Sequence, residues 1–166
     1  MSATLQPAWL KSVDTKRRYE DWTAAPTTVP AAQRAGVLGS VRKRLTLDAI
    51  PEKDAKPLAD LVWAKHSALA DGDYGRITLV VCNTVDRACQ TFDELRALAP
   101  AQEVRLVHSR FRPAERASWR QQFLGRPACT SGVNRIIVAT QVVEAGVDIS
   151  AGCVVSDLAP WPSLVQ

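Results

Sequence analysis

Four short polar clusters each follow an apolar run in this 166-residue chain. Cys82, Asn83 and Thr84 follow ITLVV, and His108, Ser109 and Arg110 follow VRLV. Thr140 and Gln141 follow RIIVA, and Ser156 and Asp157 follow CVV. Hydroxyl, amide, imidazole and guanidinium groups bind phosphate oxygens without reading a base, helped by the N–H groups of any helix that starts beside them. Taken singly, each residue serves equally well as a cap or turn former, and Thr84 suits an N-cap by itself. Four clusters in the same position weaken that reading.

Other chemistry is poorly supplied. No GxxxxGK[ST] phosphate loop occurs, and no apolar run ends in an Asp-Glu pair that could hold Mg²⁺. The histidines are His66 and His108. His66 stands beside Lys65 on a helical stretch and is expected to be solvated, and His108 has no carboxylate close in sequence. Neither a hydrolytic triad nor a metal site is predicted, and no catalytic residue is assigned within the chain. Cys82, Cys89, Cys129 and Cys153 form no CxxC pair, which argues against zinc and against a disulfide framework. Cys82 and Cys153 lie in apolar runs and read as small core residues. A reduced, cytoplasmic protein fits this usage.

The elements that must carry the polar clusters alternate. KRLTLDAI (43–50) reads as a strand. Pro57 opens a helix with Leu58, Leu61, Val62 and Leu69 on one face. ITLVVC is a β-branched apolar run suited to a strand buried on both faces. In TVDRACQTFDELRAL, Val85, Ala88, Cys89, Phe92 and Leu95 make a helical stripe. VRLVH is a second strand, Pro113 starts a helix bearing Trp119 and Phe123 one turn apart, RIIVAT is a third strand and GCVVSDL a fourth. Strand alternating with helix gives an α/β fold with a parallel sheet, in which ligands sit beyond the carboxyl ends of the strands. Residues 1–35 lack this periodicity: a short helix near Ala8–Val13 and a linker through TAAPTTVP are predicted.

Composition agrees with a water-soluble domain: 46% hydrophobic, 23% charged and a formal charge of +4. No apolar run approaches the ~20 residues of a membrane span, and no signal peptide is visible. Basic residues cluster at Lys16–Arg18, at Arg42–Arg44 and at Arg110, Arg112, Arg116 and Arg120. Each cluster reads as a solvated face or a polyanion contact, and the third flanks a strand-end cluster.

VATQVVEAGVDIS (138–150) resembles motif V of superfamily 2 helicases. VVCNT is similar to the strand of motif IV, and LVHSRFRPAER to the segment that follows it. Ser2, Ala3 and Thr4 resemble motif III, the tripeptide linking two RecA-like lobes. Gln166 falls where motif VI, of form QRxGRxxR, would begin. Order and spacing agree across nearly the whole chain. Within the superfamily, ATQVVE, GVDIS and DLAPW…LVQ resemble most the helicase part of the CRISPR-associated helicase–nuclease of type I systems. DEAD-box RNA helicases usually carry Asp at the position of Gln141 and Arg at that of Ala145. The CRISPR family in turn often has Gln-Ser-Leu where this chain reads Ala145-Gly146-Val147.

The resemblance implies an α/β, parallel-sheet RecA-like (P-loop NTPase-like) domain over residues 36–166, truncated at its C-terminus, after an interlobe segment over 1–35. It implies the second motor lobe of an ATP-dependent helicase that moves 3′ to 5′ on single-stranded DNA in CRISPR interference, with ATP and Mg²⁺ between two lobes. Asn83, Thr84, His108, Ser109, Arg110, Thr140 and Gln141 would hold DNA. Gly146 and Asp148 would face the nucleotide and couple its state to the DNA, and Ser2, Ala3 and Thr4 would couple the lobes. Asp148 suits a local Asx turn equally well. The implied partners are single-stranded DNA and, through the full-length protein, a CRISPR RNA-guided surveillance complex; no membrane is implied. The phosphate loop would precede Met1 and the motif VI arginines would follow Gln166. The chain alone is therefore expected to bind no ATP or Mg²⁺, to hydrolyse no ATP, and to be marginally stable. Two other readings stay open: a stand-alone, catalytically inactive RecA-like module that binds nucleic acid or protein, and a flavodoxin-like or nucleotide-binding α/β domain with chance matches.

Overall fold

The computed structural model describes residues 44–143 and 147–158. The short helix expected near Ala8–Val13, the interlobe segment over 1–35 and Gly146 lie outside the described residues. Helix α1 spans Lys56–Ser67 with Pro57 in its first turn, where a missing N–H costs nothing. Strand β1 is Arg76–Val81, helix α2 Val85–Leu98 and strand β2 Glu103–Val107. Helix α3 is only Pro113–Ala117, and a wider π-type turn over Arg120–Leu124 follows it. Strand β3 is Asn134–Ala139 and strand β4 Cys153–Ser156. Among the described residues no helix is long and apolar enough to cross a membrane.

The four strands form one sheet in the order β2-β3-β1-β4, with every pairing parallel. Parallel strands need crossover connections, which is why helices interrupt them in sequence. The apolar runs read correctly as strands covered on both faces. On one face Val80, Cys82, Ile136 and Val138 meet Leu58, Ala59 and Val62 of α1 and Ala88 and Leu95 of α2. On the other, Ile77, Ile137 and Ala139 meet Phe123, Leu124 and Val143. Alternate residues of one strand thus enter different cores, as a period of two demands.

Three expectations are corrected. Residues 44–50 carry no strand: among the described residues no neighbour pairs with them, and Leu45 and Leu47 are exposed. Without a ladder partner, an alternating pattern cannot satisfy its backbone as a strand. Cys153 is half-buried, whereas Cys82 is fully enclosed. His66 is the clearest case. It is not solvated but 1% exposed. Its Nδ1 lies 2.9 Å from Thr78 Oγ1 and its Nε2 2.8 Å from Asn134 Oδ1, so one imidazole joins α1 to β1 and β3. Burial holds its pKa below the ordinary histidine value, with the nearby Arg76 charge adding to that. A neutral ring fits both partners, because Nε2–H donates to the Asn134 oxygen and Nδ1 accepts from the Thr78 hydroxyl.

Candidate functional site

Parallel register decides where the polar clusters stand. Val81 is level with Ala139 and with Ser156, and Ala139 is level with Val107. All four carboxyl ends therefore lie on one edge. The ladder continues one residue further: Cys82 N donates to Ala139 O at 2.8 Å, Thr140 N to Val107 O at 3.1 Å and Asp157 N to Val81 O at 2.9 Å. Asn83, Thr84, Ser109, Arg110 and Gln141 leave this edge exposed, while Thr140 and His108 are buried.

The individual roles differ. Thr84 is the N-cap of α2, and its hydroxyl oxygen accepts from Arg87 N at 3.2 Å. That cap leaves the hydroxyl hydrogen free to donate outward. Asn83 is tied to the neighbouring strand end. Its N–H donates to Asp157 Oδ2 at 3.0 Å and its Nδ2 to Leu158 O at 3.1 Å. Arg110 reaches Asp86 in the first turn of α2, Nη1 to Oδ1 at 3.1 Å. Both side chains are well exposed, so the pair positions Arg110 rather than contributing much stability. The ring of His108 stacks on Phe111 with centroids 4.3 Å apart. Burial and the Arg110 charge hold the His108 pKa down, and its Nδ1 has no partner among the described residues.

Asp148 stands apart from this set. Its N–H donates to Leu124 O at 3.3 Å, its side chain is exposed, and no hydrogen bond joins it to the strand-end residues among those described. Its neighbours Val147 and Ile149 pack on the second core. Gly146, Ser2, Ala3 and Thr4, the remaining residues predicted to couple nucleotide and lobes, lie outside the described residues.

Sequence reading missed the pair that holds the edge together. Arg87 Nε bonds Asp157 Oδ1 at 3.0 Å, with both side chains largely buried. Its Nη1 also donates to Pro51 O, at 3.4 Å, and to Glu52 O. One guanidinium thus joins the segment before α1, the first turn of α2 and the end of β4. With both oxygens engaged, Asp157 is a structural acceptor. The signal available in sequence was an Asp closing an apolar strand together with an Arg three residues past an N-cap. Among the described residues no group of three His, Cys, Asp or Glu side chains could hold a metal ion.

Comparison with known proteins agrees with this architecture. The family described as CRISPR-associated nuclease/helicase Cas3, C-terminal, matches residues 74–166. A Myxococcus xanthus protein described as a CRISPR-associated nuclease/helicase Cas3 is 37% identical over 94 residues. That match covers 57% of this chain and 12% of that protein. The ATP-dependent DNA helicase RecG of Escherichia coli K12 is 30% identical over 116 residues, covering 65% of this chain and 15% of RecG. The crystal structure of T. fusca Cas3 is similar with a TM-score of 0.55 and 26% identity over 70% of this chain and 14% of that one. The T. fusca Cas3–ATP structure gives a TM-score of 0.51 at 24% identity, over 74% of this chain and 16% of that one, which speaks to fold alone. The chain therefore spans about a sixth or less of the length of each of these relatives.

Proposed function

The chain belongs to the family described as CRISPR-associated nuclease/helicase Cas3, C-terminal, and from that premise we propose that it is the DNA-gripping second motor lobe of an ATP-driven single-stranded DNA translocase acting in CRISPR interference. The observation that carries this reading is the shared register of the four strand ends, which sets Thr84, Ser109, Arg110 and Gln141 along one exposed edge. Hydroxyl and amide donors with one guanidinium hold a sugar–phosphate track without selecting bases, which a translocase requires.

Within this reading the roles divide. Thr84 and Ser109 donate hydroxyl hydrogens to phosphate, Gln141 donates its amide, and Arg110 supplies charge. Asn83 acts less on phosphate than on shape, because its amide donor already binds Leu158 O. Thr140 and His108, both buried, form the floor beneath the track. Gly146 and Asp148 serve the nucleotide side, and Ser2–Thr4 couple this lobe to the first. ATP and Mg²⁺ belong to the intact enzyme. Among the described residues no group of three His, Cys, Asp or Glu side chains could hold the metal, and the sequence carries no GxxxxGK[ST] phosphate loop. The intact enzyme would work with a CRISPR RNA-guided complex.

Fluorescence anisotropy of the 166-residue chain on labelled single strands tests the reading. Affinity should fall with salt, with a log–log slope of about −0.7 per phosphate held. Arg110→Ala should lower affinity at every sequence alike and flatten the slope by about 0.7. ATP turnover by the same preparation should be absent. Failure to bind at low salt, or a slope near zero, sinks the reading.

A further inference from the structure

A cavity of about 380 Å³ opens beside β2, one of the two edge strands of the described sheet. Four aromatic rings line it: Phe92 from α2, Phe111, Trp119 and Phe123. Those rings are ordered, not scattered. Phe111 meets Trp119 edge to face at 5.2 Å and 84°, and Trp119 lies 6.1 Å from Phe123. The series begins outside the cavity, because Phe111 stacks on His108, which sits in the strand-end row. Ring-to-ring contacts thus run from beneath the proposed phosphate track into the cavity wall.

The surroundings carry the complementary charge. Arg96 lies 5.6 Å over the Phe92 ring and Arg105 5.7 Å over the Phe123 ring. Arg110, Arg112 and Arg116 occupy the stretch that joins the track to the cavity wall. Three carboxylates oppose them, and all are engaged: Asp86 Oδ1 accepts from Arg110 Nη1 at 3.1 Å, Glu115 Oε2 accepts from Arg112 N at 2.8 Å, and Glu103 is held by Arg105 and Arg135. Positive charge around an aromatic lining favours a ligand with a flat π-face and an anionic backbone. The volume lies at the small end of the ~300–1,000 Å³ range of ligand pockets, which suits one flat ring system better than a large cofactor.

We infer that this cavity accepts one base of the single strand, stacked on Trp119 with the near-perpendicular Phe111 ring beside it, while the adjoining phosphates lie along the strand-end row. The inference rests on the proposed DNA-binding reading and adds a base site to its backbone track. Stacking tolerates any base, so the site holds the strand without imposing sequence. Exposed Gln122 on the cavity wall supplies an amide for the base edge.

The experiment is a two-by-two cycle. Wild-type chain and Trp119→Ala are each titrated with an oligonucleotide and with the same oligonucleotide made abasic at its central positions, which keeps every phosphate. Wild type should bind the intact strand roughly 5- to 150-fold more tightly than the abasic one, the range expected of a single stacked base. Trp119→Ala should lose that preference while its salt slope stays at the wild-type value. Trp119→Phe should restore most of the preference. Arg110→Ala should do the reverse of Trp119→Ala, flattening the slope and keeping the preference. Should Trp119→Ala not fold, Phe111→Ala takes its place, and the wild-type comparison stands without either. Equal binding of the two oligonucleotides by wild type, or a preference untouched in Trp119→Ala, overturns the base site and leaves the backbone reading intact. If wild type binds neither strand at low salt, the DNA reading itself fails and the base site with it.

Discussion

At the residue scale, Arg87 does the most to keep the functional edge in place. Its guanidinium and Asp157 are both largely withdrawn from water. Removing one member of such a pair leaves the other charge buried and unpaired, at a cost of about 3–5 kcal/mol. A small domain holds only ~5–15 kcal/mol in total, so Arg87→Ala should bring the fold close to collapse. Asp157→Asn should cost less. Arg87 keeps its carbonyl acceptors on Pro51 and Glu52, and the new amide oxygen can still accept from Asn83 N–H. Urea midpoints should therefore rank wild type above Asp157→Asn and that above Arg87→Ala. A midpoint for Arg87→Ala equal to wild type would remove the pair from this account. Asp157 and Arg87 each stood at a recognisable position, but their pairing was not legible in the sequence, because they lie 70 residues apart and only the parallel register of β1 and β4 makes them neighbours.

Elements show the same division between what is local and what is not. The apolar runs of β1 and β3 and the stripe of α2 could be read directly, since period and burial on two faces are properties of the segment itself. The strand expected over 43–50 failed for the opposite reason, because a strand exists only with a partner. The loop that starts β1 depends on one backbone conformation. Gly75 has φ +80°, and a Cβ there would lie 2.6 Å from Thr130 O and 2.7 Å from Val133 O. Arg76 N donates to that same Val133 O at 2.7 Å, which registers β1 against the segment entering β3. Gly132 has φ +86° but open space where its Cβ would be. An L-residue in this conformation costs roughly 1–2 kcal/mol. Gly132→Ala should lose about that much, and Gly75→Ala clearly more, because backbone atoms must also move. Equal denaturation midpoints for the two variants would count against the close approach at Gly75.

The whole molecule joins these elements through groups that must stay neutral. The chain has two histidines, and both are withdrawn from water in the fold. Burial lowers the pKa of each, and neighbouring positive charge, Arg76 for His66 and Arg110 for His108, acts in the same direction. The unfolded chain then takes up protons more readily than the folded one. Stability is therefore full above the ordinary histidine value of about 6.5 and falls as pH drops below it, by at most ~1.4 kcal/mol per pH unit for each proton. Glu103 acts in a lower window. Burial raises Glu103, but the hydrogen bonds and charges of Arg105 and Arg135 outweigh that, so its contribution fades only as pH falls through the carboxylate range. Cys82 acts higher, pushed up to about 11 by burial. Between pH 7.5 and 5.5 the two histidines thus dominate, and the melting temperature should fall across that interval. His108→Asn should keep the part of the slope due to His66. His66 bridges α1, β1 and β3, so its protonation strains three elements together, and His66→Gln should flatten the slope while lowering Tm at pH 7.5. A melting temperature independent of pH over this range would mean that the His66–Thr78–Asn134 bridge does not hold the neutral ring in solution.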